Sequence, residues 1–139
     1  MKNFSKIALA FAIAGSMSLA YAGEKEDVMA LVNDAAKAVT ANKAEAVKNI
    51  QNGVFVKGSL YAFAYDLNGV MVAHPQKPTS VGTNFLNQGD DNNKMFRKDI
   101  IEAAKKGGGW VDYTLKGSNK TAFCKKAADL AVCSAIVKG

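Results

Sequence analysis

Side chains able to do chemistry are few in this sequence, and several are unique. Arg97 is the only arginine and His74 the only histidine, while Cys124 and Cys133 are the only cysteines. A guanidinium presents a planar fork of donors that matches a carboxylate in a way an ammonium does not. Arg97 therefore either recognises an anion or sits, more plainly, on a solvated helix face. His74 can donate to a ligand oxygen or serve as a capping or packing residue. A lone histidine lacks the partners that a histidine-built zinc site needs. Lys120 offers a second cation, with a solvated lysine as its alternative. Tyr65, Phe96, Trp110 and Tyr113 could supply the apolar wall with polar tips that a small-molecule pocket requires, although core packing explains each of them as well. The sequence has no G-x-S-x-G, no H-E-x-x-H, no P-loop and no clustered carboxylate pair, so it points to neither an enzyme nor a bound cofactor.

The compartment is legible at the start of the chain. Lys2 and Lys6 precede an apolar run over residues 7–20, and Ala20, Tyr21 and Ala22 form a small-residue cleavage signature, so residues 1–22 read as a secretory signal peptide. The run is about 14 residues, short of the roughly 20 that a membrane-spanning helix needs. The protein is thus expected in the periplasm, where two cysteines favour a disulfide. A Cys124–Cys133 bridge closes a loop of about ten residues, worth roughly 2.5–3 kcal/mol in the chain-entropy description. The spacing is not the C-x-x-C of a redox pair. Residues 23–139 keep 16 basic residues against 12 acidic ones, a net charge of +4. The lysines are spread along the chain and do not interleave with aromatics, which argues against a nucleic-acid partner. A segment of about 117 residues fits a single domain.

Periodicity supplies the elements that must position these residues. From Glu24 to about Ile50, Val28, Leu31, Val32, Ala35, Ala36, Val39, Val47 and Ile50 recur at three- and four-residue steps, predicting one long amphipathic helix bent near Ala41-Asn42. Glu24, Glu26 and Asp27 are expected in its first turn, and Gly53 just past its end. From Leu60 the period becomes two, with Tyr61, Phe63 and Tyr65 on one face, and Asn68-Gly69 marks a hairpin. With those two as loop residues, Tyr65 faces Val72 and Phe63 faces His74, which puts His74 on the aromatic face. A loop longer by one residue would send it to the other face. Residues 75–93 read as a long loop, the place for a ligand lid. A second helix is expected from about Asn92 to Lys106, with Phe96, Ile100, Ala103 and Ala104 on one stripe, Arg97 at its edge and Gly107, Gly108 and Gly109 ending it. Residues 110–115 form a strand, Gly117, Ser118 and Asn119 a turn, and residues 121–125 and 131–137 a last hairpin. A tip at Ala128-Asp129 sets Cys124 opposite Cys133, so register and disulfide support each other. The fold class is α+β: an antiparallel sheet of about five strands with helices packed on it.

The run FVKGSLYAFAYDLNGVMVAHPQKPTSVGTN, followed by a helix and then EAAKKGGGWVDYTL, resembles the single Cache domain, an extracytoplasmic relative of the PAS fold in bacterial chemoreceptors and sensor kinases. The resemblance spans nearly all of residues 23–139. It implies a long N-terminal helix on one face of the sheet and a small ligand, often a short organic acid, held on the other between sheet, loop and helix. It places His74 at the end of the second strand beside that pocket. Trp110 and Tyr113 are three positions apart on one strand and must face opposite ways, and Tyr113 is the one assigned to the ligand. The site implied is Tyr65, His74, Phe96, Arg97, Tyr113 and Lys120. The cysteine pair departs from the family pattern, as does the lack of a membrane span or signalling module. A signal would then pass through a membrane receptor, sensor kinase or transporter, and pairing of two copies through the long helix is left open. The competing expectation is a protein-interaction module whose pocket is closed or vestigial.

Overall fold

Apolar residues at helical spacing build the first layer. In the computed structural model, which describes residues 16–138, helix α1 spans Ser16–Ala41 and buries Val28, Leu31, Val32, Ala35, Ala36 and Val39. Most of the expected leader, residues 1–15, lies outside the described residues. The expected bend is a break. Asn42 is extended at φ −158°, and its side chain accepts from the Glu45 N–H at 3.2 Å, so it caps a separate helix α2, Lys43–Gln51. Gly53 follows α2 in the left-handed region at φ 76°, as a helix stop requires. Glu24, Glu26 and Asp27 do not lie in the first turn of α1, because the helix already begins at Ser16.

A short ribbon follows, β1 (Val56–Lys57) paired with β2 (Leu60–Tyr61), and β1 has no counterpart in the sequence reading. The main sheet comprises β3 (Phe63–Asp66), β4 (Met71–Ala73), β5 (Gly109–Leu115), β6 (Ser118–Ala127) and β7 (Leu130–Val137), all antiparallel. Its five strands lie in the order β4-β3-β7-β6-β5. Period-two alternation sorts side chains to two cores. Ala62, Ala64, Ala73, Phe123, Leu130, Val132 and Ile136 meet α1 and α2, and the small alanines let the helices approach the sheet closely. Phe63, Tyr65, Met71, Val111, Tyr113, Ala122, Cys124, Ala131 and Cys133 form the opposite face, covered by helix α3, Phe96–Lys105.

The first hairpin departs from the expected register and then returns to it. The Asp66 N–H donates to the Val70 carbonyl and Tyr65 pairs with Met71, so the loop holds three residues, Leu67, Asn68 and Gly69. One strand step further Ala64 pairs with Ala73, the expected register, because a bulge in β4 absorbs the extra residue. The two irregularities cancel, and His74 lands on the aromatic face.

The second helix begins at Phe96, four residues after the expected start. The Asp90 carboxylate accepts from the N–H groups of Asn92 and Lys94, and Asn93 adopts φ 62°, so residues 90–94 close a turn instead. The turn before β6 also comes earlier than read. Lys116 and Gly117 have positive φ, and Ser118 already pairs with Leu115. The last hairpin is as read, with Ala127 paired to Leu130 and Cys124 bonded to Cys133 directly across the strands.

Candidate functional site

On the sheet face that carries α3, side chains leave a cavity of about 420 Å³, ample for a small metabolite, and Glu24 of α1 reaches its wall. Tyr65, His74, Phe96, Arg97, Tyr113 and Lys120 all line it. Trp110 does not. It lies on the α1 face of the sheet beside its cross-strand partner Phe123, with the Lys25 ammonium 4.4 Å from its ring centroid, as the opposite-face argument requires.

Each wall has a local cause. Tyr61, Phe63 and Tyr65 stand on one side of the β2–β3 run, with ring centroids 6.2 and 6.0 Å apart in sequence order. Tyr113 pairs with Lys120 across β5 and β6, so both side chains share a face. The first turn of α3 brings Phe96 flat against Tyr113, with centroids 4.2 Å apart and planes 8° from parallel. Arg97 follows Phe96 into the cavity and is only 9% exposed. The long loop adds Lys77, Ser80 and Phe85 to the wall. This loop is no free lid. Met71 donates to the Thr83 carbonyl at 2.9 Å, Gly82 to Met71 at 2.8 Å and Phe85 to Gly69 at 2.9 Å, which binds the loop to the outer edge of β4.

The Arg97 guanidinium lies 3.9 Å from the Phe96 centroid and 4.8 Å from that of Phe85, and its Nε donates to the Tyr65 hydroxyl at 3.1 Å. Among the described residues its two terminal amines have no hydrogen bond and no carboxylate partner, and neither is sealed from open space. The Tyr65 hydroxyl accepts from Arg97, so its own proton is free to donate. Burial raises the Tyr65 pKa against the opposing pull of Arg97, and burial followed by neighbouring Tyr65 and Tyr61 raises that of Tyr113. Both hydroxyls remain protonated donors.

His74 is 8% exposed and held at both its main chain and its ring. Its N–H donates to Gln51 Oε1 at 2.9 Å, and Gln51 Nε2 donates to its carbonyl at 3.0 Å. Its ring stacks on Phe63 at 5.4 Å, and its Nδ1 accepts from the Lys77 N–H at 3.0 Å. Burial, followed by the nearby Lys77 charge, pushes its pKa down to about 4, so the imidazole is neutral at pH 7. Burial first, then Lys116, Lys120 and Arg97, lowers the pKa of Lys77. The site gathers positive charge, and its one acidic wall residue, Glu24, is exposed.

Sequence reasoning missed Tyr61, Lys77, Phe85 and the supporting Gln51. Tyr61 carried a signal, since it shares the parity of Phe63 and Tyr65. Lys77 and Phe85 come from a loop without periodicity, and Gln51 ends α2 off its buried stripe, so no local pattern marks them.

An α+β domain whose five-stranded sheet holds a donor-lined cavity on one face and a helix pair on the other defines the class. The chain belongs to the Single Cache domain 2 family, whose model matches residues 25–131. Among solved structures it is similar to a Cache chemosensory domain described for carboxylic acid recognition, with a TM-score of 0.71, 20% identity and coverage of 88% of this chain and 99% of that one. A methyl-accepting chemotaxis protein from Vibrio parahaemolyticus gives a TM-score of 0.68 at 19% identity, covering 90% and 95% of the two chains. The periplasmic sensor domain of a chemotaxis protein gives 0.65 at 20% identity, covering 91% and 98%. At these identities the likenesses establish the fold. No curated protein matches the chain. Among the described residues no helix is long and apolar enough to cross a membrane.

Proposed function

We propose that this protein is an exported sensor-type domain that binds a small carboxylate, anchored by Arg97. The observation that carries the reading is an arginine 9% exposed that lines the cavity and has no carboxylate partner among the described residues. A charge so placed is costly unless an anion joins it, and a carboxylate accepts the fork of donors in a bidentate manner. Tyr65, Tyr113 and His74 add neutral donors, Phe96 supplies a flat wall, and Lys120 adds positive charge. The similar fold described for carboxylic acid recognition supports the same chemistry. The leader at residues 1–22 would deliver the domain to the periplasm, where a membrane receptor, sensor kinase or transporter would read its bound state.

An interaction module with a closed pocket is the weaker reading, because side chains do not fill the cavity. Thermal-shift measurements of the purified protein against short carboxylates test the proposal. A ligand at 100 times its Kd adds about 2.7 kcal/mol of stability. One chemical class should stabilise the wild type, and Arg97→Ala should abolish that shift. A full response in the variant removes Arg97 as the anchor, and no response of the wild type to any acid removes the carboxylate reading.

A further inference from the structure

Gln51 and Lys77 hold His74 in one orientation and one tautomer, and this has a consequence for ligand choice. Gln51 reaches from the end of α2 to bond both the N–H and the carbonyl of His74, just past the last residue of edge strand β4. The main chain of His74 is thereby fixed in the manner of a ladder pair. The Lys77 N–H occupies Nδ1, so in the neutral ring the proton resides on Nε2. Phe63 and Tyr61 grip the ring, with centroids 5.4 and 5.3 Å from it. Among the described residues Nε2 has no hydrogen-bond partner, yet it is not sealed off, and His74 lines the cavity.

We infer that His74 is the specificity-determining residue of the site: a fixed, neutral Nε2–H donor, set by Gln51 and the Lys77 main chain, that selects acids carrying a second, uncharged acceptor and rejects those carrying an ammonium. The inference rests on the carboxylate reading and deepens it. With Arg97 holding the carboxylate, a 2-oxo or 2-hydroxy oxygen can accept from His74. An α-ammonium has only donors and would meet His74 Nε2–H together with the charges of Lys77, Lys120 and Arg97. The exposed Glu24 is the one carboxylate of the wall that could offset it. A site of fixed donors discriminates strongly, since a mismatched ligand leaves its own or the site's polar groups unpaired.

Calorimetric titration with propanoate, 2-oxopropanoate and alanine tests this, joined by nuclear magnetic resonance of the single histidine in the ligand-free protein. 2-Oxopropanoate should bind about tenfold more tightly than propanoate, the worth of one well-made hydrogen bond in a partly dry site. Alanine should bind at least about 100-fold more weakly than 2-oxopropanoate. His74→Phe, which keeps an aromatic ring against Phe63, should erase the 2-oxo advantage, so that 2-oxopropanoate and propanoate bind the variant equally. The imidazole ¹⁵N shifts should report Nε2–H in the wild type and a mixture of tautomers in Gln51→Ala, a change that a merely structural role for Gln51 would not produce. Equal binding of alanine and 2-oxopropanoate overturns the inference, as does a 2-oxo advantage that survives His74→Phe. Acids that bind beside an Nδ1–H tautomer overturn it while sparing the carboxylate reading. Failure of every acid to bind removes both, whatever the tautomer.

Discussion

Acid should destabilise this protein through His74 at a pH where few other groups titrate. The imidazole pKa falls from 6.5 in the unfolded chain to about 4 in the fold, chiefly through burial and then through Lys77. Since the folded value is the lower one, the unfolded chain takes up the proton first. The contribution is therefore complete above pH 6.5 and is lost as the pH falls through about 4. At about 1.36 kcal/mol per unit the full difference is roughly 3.4 kcal/mol, and partial access of water to the ring reduces this to about 1–2 kcal/mol. Urea unfolding of the wild type and His74→Phe in steps from pH 7 to 4 isolates the term, because this is the only histidine. Asp90, held below the usual carboxylate range first by the Thr114 N–H, is acid-sensitive in both proteins and cancels in the difference. The wild type should lose about 1–2 kcal/mol more than the variant across the interval. Parallel losses in the two proteins would refute the assignment of a buried, neutral imidazole.

Replacing both cysteines, Cys124→Ala with Cys133→Ala, should lower stability by about 2.5–3 kcal/mol through the freed loop of the denatured chain, read as a drop in the urea midpoint. A loss below about 0.5 kcal/mol would mean that the bridge adds little to a hairpin already fixed by its strands. Gly69→Ala should cost at least about 1–2 kcal/mol, because an added Cβ in the left-handed conformation at φ 92° would stand 2.7 Å from Leu86 Cβ. Since the Gly69 carbonyl holds the N–H of Phe85, the same variant should weaken carboxylate binding, measured by calorimetry.

Much of the architecture was legible because it follows from short-range repetition. The step of three and four in residues 28–50 sets one face of α1 and α2 against the sheet, and the step of two in residues 60–65 parts alanines from aromatics. The Cys124–Cys133 register was readable because a two-residue tip at Ala128-Asp129 counts outward without interruption. The first hairpin shows where such counting fails. The expected placement of His74 is correct, yet it depends on a longer loop and a bulge that cancel, and hydrogen-bond competition at Asp66 and Val70 leaves no periodic trace. The late start of α3 is similar, since it depends on Asp90 choosing main-chain partners at Asn92, Lys94 and Thr114.

By itself the sequence determined the fold class, the family resemblance and the side chains available to a site, because all three follow from residue type and local spacing. It left Arg97 balanced between solvent and pocket, and gave Lys77, Phe85 and Gln51 no role. Tertiary structure decided these, because burial and donor direction belong to segments far apart in the chain. Tyr65 lies 32 residues from Arg97, and Gln51 lies 23 from His74. Only when β3, α2 and α3 close around one cavity do the lone arginine and the lone histidine meet at its wall, where the proposed anion anchor and fixed donor would act.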